Sequence, residues 1–376
     1  MSDIFNQGAE GQSQGQSQGQ GLGRDPGQSP GQNQAPGSDK GQGQGQSQGQ
    51  GQGQGQAQGQ GSTQSQGQGQ SQTQTQDSRP TLLTVLHRTT YRYSTFVETA
   101  QHLATIRPVS NTTQEVLQHA ERIEPEPSYV HSRVDTFGNE VIYFALDTPH
   151  EALQLTSETT VRLRRRWTAF EPGRTLPWEK LAEQMQYRAG AAFRAESEFC
   201  FASPYIVLHP AMRAYALESF KPGVPVAQGA LDLMHRIHDE FEYQQTTTDF
   251  DTPALKAFKL RSGVCQDFAQ VMVGCLRAVG IPARYVSGYL RTEPPPGQPR
   301  LLGADASHAW VSVFCPGFGW VDLDPTNDVM ADTNHVTLAY GRDYSDVSLL
   351  RGMILGGGAH GIDVSVSVTE LSANVT

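Results

Sequence analysis

The chain has 376 residues and a formal net charge of −10, and 20 of its 39 glycines, with 26 glutamines, fall within residues 1–76. That stretch has a single aromatic residue, Phe5, and cannot bury enough apolar surface to offset the entropy of ordering, so residues 1–78 are expected to be a disordered tail. The other 300 residues hold every Trp, Tyr and Cys and a net charge of −8, which leaves no electrostatic case for nucleic acid or an anionic membrane as main partner.

The start of the chain, Met1 to Asn6, lacks a basic stretch followed by an apolar one, so no secretory signal is expected, and no window reaches bilayer-spanning length. Residues 41–60 are close to pure Gly-Gln alternation, the composition of an uncharged, extended spacer. Hydrophobic patterning begins after Pro80. Leu83, Val85, His87, Thr89, Tyr91 and Tyr93 share one face by period two, opposite Arg88 and Arg92, and predict a strand. Further strands are expected at 115–123, 129–136, 140–146 and 153–164, with a hairpin turn at Phe137-Gly138-Asn139. Short strands punctuated by turns predict a β-sandwich-like domain over residues 79–166. The arginines at 162, 164, 165 and 166 read as a solvated strand end.

The remaining residues, 167–376, turn helical at 178–187 and 227–241. A third helix runs from Cys265 to Val279, with Phe268, Met272, Cys275 and Val279 on one stripe and Gly280-Ile281-Pro282 to end it. Strands follow at 283–291, 309–315 and 320–324, with a proline-rich loop at 294–299. A last strand carries Ile362, Val364, Val366 and Val368.

Four scattered cysteines make no C-x-x-C pair, so neither a disulfide framework nor a structural zinc site is expected, and a reducing cytoplasm is the simplest setting. In that setting one thiol can be a nucleophile. Cys265 opens its helix, where unpaired backbone N–H groups and the macrodipole favour a thiolate and can hold an oxyanion. Asp267, in the same first turn, is read as a cap. His308 starts a strand that turns near Pro316-Gly317 and returns antiparallel, bringing His308 to within a few residues of Asp324. A carboxylate beside an imidazole sets its tautomer and stabilises the imidazolium. Asp322 shares the face of Asp324, and spacing does not separate the two. Cys275 reads as packing, Cys200 and Cys315 as structural, and His335 and His360 as polar loop or strand residues. His235 and His238 lie three apart on a helix, but no third ligand at a recognisable spacing supports a metal there.

Four segments, Gly263-Val-Cys-Gln-Asp-Phe-Ala269, Gly280-Ile-Pro-Ala-Arg-Tyr-Val-Ser-Gly-Tyr289, Ala304-Asp-Ala-Ser-His-Ala-Trp310 and Gly319-Trp-Val-Asp-Leu-Asp-Pro-Thr326, resemble the bacterial transglutaminase-like superfamily, in its cysteine-protease branch. Gly341-Arg-Asp-Tyr-Ser-Asp-Val347 and the triplet from Gly356 fit the same branch, and the β-rich stretch resembles the N-terminal domain often found with it. The resemblance covers residues 80–376 and none of the tail. It implies an α+β fold with a papain-like core and a catalytic triad of Cys265, His308 and Asp324, the Asp that precedes Pro. The tryptophan that helps hold the oxyanion in eukaryotic members has no counterpart between Trp178 and Cys265, and Tyr243 and Gln244 are the candidates for that role.

The implied chemistry is acyl transfer through a thioester on peptide or glutamine amides, with no metal or cofactor and with a protein or peptide substrate as partner. Water as acceptor makes a protease or amidase; an amine makes a transglutaminase. The glutamines of the tail are either inert spacer or substrate for the same chemistry. The alternative is a binding or scaffold module on the same fold, against which stands the retention of all three triad residues.

Overall fold

The structure, a computed structural model, describes residues 79–190, 192–244, 252–292 and 307–371. The glycine- and glutamine-rich tail, with the disorder expected of it, and the proline-rich loop at 294–299 lie outside these residues.

The β-rich part comprises β1 (Thr81–Ala104), β2 (Gln114–Glu124), β3 (Tyr129–Val134), β4 (Glu140–Leu146) and β5 (His150–Leu163). Period-two alternation buries Leu83, Val85, His87 and Thr89 on one face of β1 and leaves Arg88 and Arg92 outside. Then follow α1 (Trp178–Met185), α2 (Pro210–Ser219), α3 (Val226–Glu240), β6 (Glu242–Tyr243), α4 (Ala254–Leu260), β7 (Ser262–Gly263) and α5 (Cys265–Ala278). The chain continues through β8 (Ala283–Leu290), β9 (Ser307–Cys315), β10 (Gly319–Asp324), β11 (Val329–Met330) and β12 (His335–Gly341). It returns by α6 (Tyr344–Val347), β13 (Leu350–Gly356) and β14 (His360–Glu370).

Seven strands form the first sheet, in the order β2-β5-β1-β4-β3 with β13 and β14 also paired to β1. The β-rich part is thus completed by strands from far along the sequence. One half of β1 runs between β5 and β14, the other between β4 and β13. The β1–β5 register shifts between Arg92 and Val97. There the glycine triplet crosses β1: Gly357 N–H donates to the Phe96 carbonyl at 2.9 Å. A Cβ on Gly356, whose φ is +92°, would stand 2.5 Å from that same oxygen, so a side chain is excluded.

The second sheet is antiparallel, in the order β11-β10-β9-β8-β12. Helix α5 lies across β8 and β9 and is enclosed by α2, α3 and α4. Phe268, Met272 and Cys275 of α5 join Val311 and Val313 of β9 in one apolar cluster that also takes in Leu83, Val85, Val366 and Val368. The first sheet and the helical core therefore share an interior. Helices α2 and α4 carry their buried residues at helical spacing, but small and polar members blur the apolar stripe. α4 also lacks a glycine stop: Arg261 takes the left-handed conformation at φ 53°. Its guanidinium lies 4.4 Å from the ring centroid of Tyr215 and 4.5 Å from that of Phe258.

His87 ties β1 to the second sheet, with Nδ1 2.8 Å from the Tyr289 hydroxyl and Nε2 2.9 Å from Thr89 Oγ1. Burial pulls its pKa down to about 4, and burial with His150 nearby does the same to His102. Both are neutral in the fold, so the unfolded chain takes up protons first as pH falls. Stability is then lost between the unfolded value near 6.5 and the folded value near 4, by on the order of 3 kcal/mol at most for His87. The expected result is a falling melting temperature from pH 7 to pH 4.5, and a shallower fall in His87→Gln.

Candidate active site

Helix α5 starts at Cys265 because the loop before it is capped: Val264 N–H donates to Asp267 Oδ2 at 2.9 Å. Gly263 makes room for this, since a Cβ there would lie 2.4 Å from the same carboxylate oxygen. Asp267 thus holds the capping position expected of it. Cys265 is partly buried at the first turn of the helix.

His308, second in β9, and Asp324, last in β10, meet across the hairpin. The register from Gly319↔Cys315 to Leu323↔Val311 places the turn at 316–318. His308 Nε2 lies 2.7 Å from Asp324 Oδ2, and the Cys265 thiol is close enough to the imidazole to act on its titration. With Nε2 committed to the carboxylate, Nδ1 is the nitrogen left for the thiol. Burial works to lower the His308 pKa, but the hydrogen bonds and charges of Asp324 and Cys265 outweigh it and raise the pKa well above the ordinary imidazole value. Burial likewise works to raise the Asp324 pKa, and the hydrogen bonds from His308 and His335 hold it well below the usual carboxylate range. Three residues chosen from the sequence, on α5, β9 and β10, are therefore brought together.

Spacing left Asp322 and Asp324 equivalent; their neighbours separate them. Asp322 stands opposite Ser312 and forms a buried ion pair with Arg166, each side chain 6% exposed. Arg166, read as part of a solvated strand end, is instead buried against β10, whereas Arg162 and Arg164 pair with Glu115 as surface charges do.

Two residues not singled out for the site complete it. His335, at the start of β12, places Nε2 3.1 Å from Asp324 Oδ2, and Asn327 Nδ2 donates to the same oxygen at 2.7 Å. Thr326 and Asn327 N–H groups donate to Oδ1 at 3.0 and 3.3 Å, the geometry of an Asx turn. That turn was readable in Asp324-Pro-Thr-Asn327; His335 belongs to no motif and carries no sequence signal. Burial lowers the His335 pKa despite the carboxylate, so it is a neutral donor through Nε2. Trp310 stacks edge-on against it, with ring centroids 5.3 Å apart. The indole in turn lies over Gly288, where a Cβ would come 2.4 Å from the ring and 2.2 Å from the Val336 carbonyl. Glycine at 288 is what lets Trp310 reach His335.

Tyr243 is half-exposed on β6, which pairs with β7 just before Cys265. The Gln244 backbone N–H donates to the Gly263 carbonyl at 2.9 Å and is spent there. Both candidates lie beside the loop that leads into Cys265. Burial pushes the thiols of Cys200, Cys275 and Cys315 up to about 12. The helical histidines take separate partners, His235 the carboxylate of Asp328 and His238 the Thr326 carbonyl at 3.0 Å. His308, Asp324 and His335 hold their ligand atoms within 4.8 Å of one another, yet both imidazoles direct Nε2 at the carboxylate itself, which is a hydrogen-bond network. No helix among the described residues is long and apolar enough to cross a membrane.

Residues 214–325 match the transglutaminase-like superfamily, and residues 83–162 match the bacterial transglutaminase-like N-terminal region. The uncharacterized protein Rv2569c of Mycobacterium tuberculosis is 38% identical over 297 residues, 77% of this chain and 93% of its own length. A protein-glutamine gamma-glutamyltransferase of Pseudomonas aeruginosa is 39% identical over 108 residues, 28% of this chain and 16% of that protein. A crystal structure of a candidate cysteine protease from Cytophaga hutchinsonii superposes with a TM-score of 0.61 at 19% identity, covering 80% of this chain and 93% of that one. The chain belongs to the transglutaminase-like superfamily, with the bacterial N-terminal region that accompanies it.

Proposed function

We propose that the protein is a cysteine-dependent acyl-transfer enzyme acting on peptide or glutamine amides. The observation that carries this reading is the placement of His308 between the Cys265 thiol and the Asp324 carboxylate. Cys265 sulfur attacks the amide carbon, and N–H groups at the start of α5 stabilise the oxyanion. His308, held as imidazolium by Asp324, delivers its proton to the departing amine, leaving a thioester. Water or a primary amine, deprotonated by His308, then attacks the thioester and frees the cysteine. The acceptor decides between hydrolysis and transamidation, and the partner is a protein or peptide. Intact-mass analysis of peptide products, with and without added amine and with Cys265→Ala as control, tests the reading. Cysteine-dependent loss of ammonia or chain cleavage supports it; no product in any arm would sink it.

His335 acts through Asp324. Losing its hydrogen bond to a charged acceptor in His335→Leu is expected to lower kcat by about ten- to a hundredfold. His335→Gln keeps an N–H donor and should recover most of the rate. The acid limb of the pH–rate profile should move up in the leucine variant and return in the glutamine one. Equal losses in both variants would leave His335 only a packing role.

A further inference from the structure

Behind the catalytic hairpin, on the side of Asp322, lies a cavity of about 430 Å³ lined by Arg166, Arg284, Asp322, Trp167, Trp320 and Tyr340, with Asn111 and Thr112 at its rim. The acyl-transfer reading makes no use of it. Its charged lining is two guanidiniums and one carboxylate, a net of one positive charge. Arg166 is matched by Asp322. Arg284 is not: among the described residues no carboxylate forms an ion pair with it, and Asp322 acts on it only as a neighbouring charge. Its guanidinium is sandwiched instead, 4.3 Å from the Trp320 ring centroid and 3.5 Å from that of Tyr340.

Stacking occupies the two faces of a guanidinium and leaves its edge, which carries all the N–H donors. The Tyr340 hydroxyl accepts from Asn111 Nδ2 at 3.1 Å. Arg284 Nε and Arg166 Nη2 are both buried with no hydrogen-bond partner. The Arg166 side chain is only 6% exposed, so its orphaned donor is costly. A buried positive charge held flat between aromatic rings, with donors unspent, is built to receive an anion. The walls decide which anion. Trp167, Trp320 and Tyr340 suit a planar apolar body, and one net positive charge beside the Asp322 carboxylate suits a single negative charge rather than a dianion.

We propose that this cavity binds a monocarboxylate carrying an aromatic group, with Arg284 as the carboxylate anchor. The shared chemistry is found in a free aromatic acid and in the C-terminal residue of a peptide. The proposal is independent of Cys265 and can be tested on the full chain whether or not amide turnover is found. Benzoate, the peptide Ala-Ala-Phe with a free carboxylate, its C-terminal amide and inorganic phosphate are titrated while tryptophan fluorescence and melting temperature are followed. Trp167 and Trp320 make the cavity its own reporter.

A saturable response to benzoate or to the free-acid peptide is expected, and which of them responds identifies the source. The amide should give none, and phosphate should bind at least about tenfold more weakly. Arg284→Gln should weaken binding at least about tenfold. Thr112→Glu adds a carboxylate at an exposed rim position that the fold tolerates, and should weaken binding in the same direction. No saturable response to either carboxylate overturns the proposal. So does equal binding of phosphate or of the amide, or binding left intact in both variants.

Discussion

Cys265→Ala is expected to lower acyl transfer by about four orders of magnitude or more, to the background left by binding and the oxyanion donors. No other thiol can stand in. Cys275 and Cys315 are buried, and Cys200, Cys275 and Cys315 all have thiols pushed up to about 12, so each is protonated at neutral pH. His308 would keep its bond to Asp324 but lose its sulfur neighbour. The fold should hardly notice, because alanine suits the first turn of a helix and Cys265 is only partly buried, so the stability change stays within about 1 kcal/mol. Iodoacetamide at neutral pH should add one label to the native protein and none to the variant. Labelling of Cys275 as fast as Cys265 would favour a scaffold over an enzyme.

Asp324→Asn and Asp322→Asn should fail in different ways, although the two positions share a face. Asparagine at 324 keeps the shape but removes the charge that stabilises the His308 imidazolium, and a loss of about three to four orders of magnitude in kcat is expected. Asparagine at 322 leaves Arg166 buried without its counter-ion, which costs about 3 kcal/mol of stability. Its activity should follow the folded fraction, with kcat within about tenfold of the parent. Melting temperature and kcat measured on both variants check the assignment. A catalytic collapse in Asp322→Asn with Asp324→Asn still active would exchange the two roles.

How much of this was readable before the structure depends on how local each signal is. The start of α5 was legible because a helix stripe, a glycine before it and an acidic residue in its first turn lie within a few residues of Cys265. The meeting of His308 and Asp324 was legible because they sit on one hairpin, whose turn fixes which residues face each other. His335 was not, since β12 joins the sheet on the far side of β8 and nothing in a lone histidine reports a neighbour on another strand. The same holds for Arg166, whose partner lies 156 residues away and whose neighbours in sequence are surface charges. Helix α2 was missed for another reason. It is buried through Met212, Tyr215, Ala216 and Ser219, which fall at helical spacing but mix small and polar residues into the stripe, and the packing of α5 against it decides its conformation. Asx turns and glycine contacts fall between: Asp324-Pro-Thr-Asn327 announces its turn, while the reason for Gly288 becomes visible only with Trp310 lying over it.

The pairing of β14 with β1 sets an order of events during synthesis. Thr81 leaves the ribosome almost 280 residues before His360, yet the ladder from Leu83↔Glu370 to Tyr93↔His360 needs both. Until then the first half of β1 has β5 along one side and an open edge along the other. A nascent chain that has already made Cys265, His308 and Asp324 still carries an unpaired strand edge able to recruit a foreign strand. Translation stopped shortly before residue 360 should therefore yield an aggregation-prone product with its reactive residues all present, and the slow step of folding should be the closure of that last, long-range ladder.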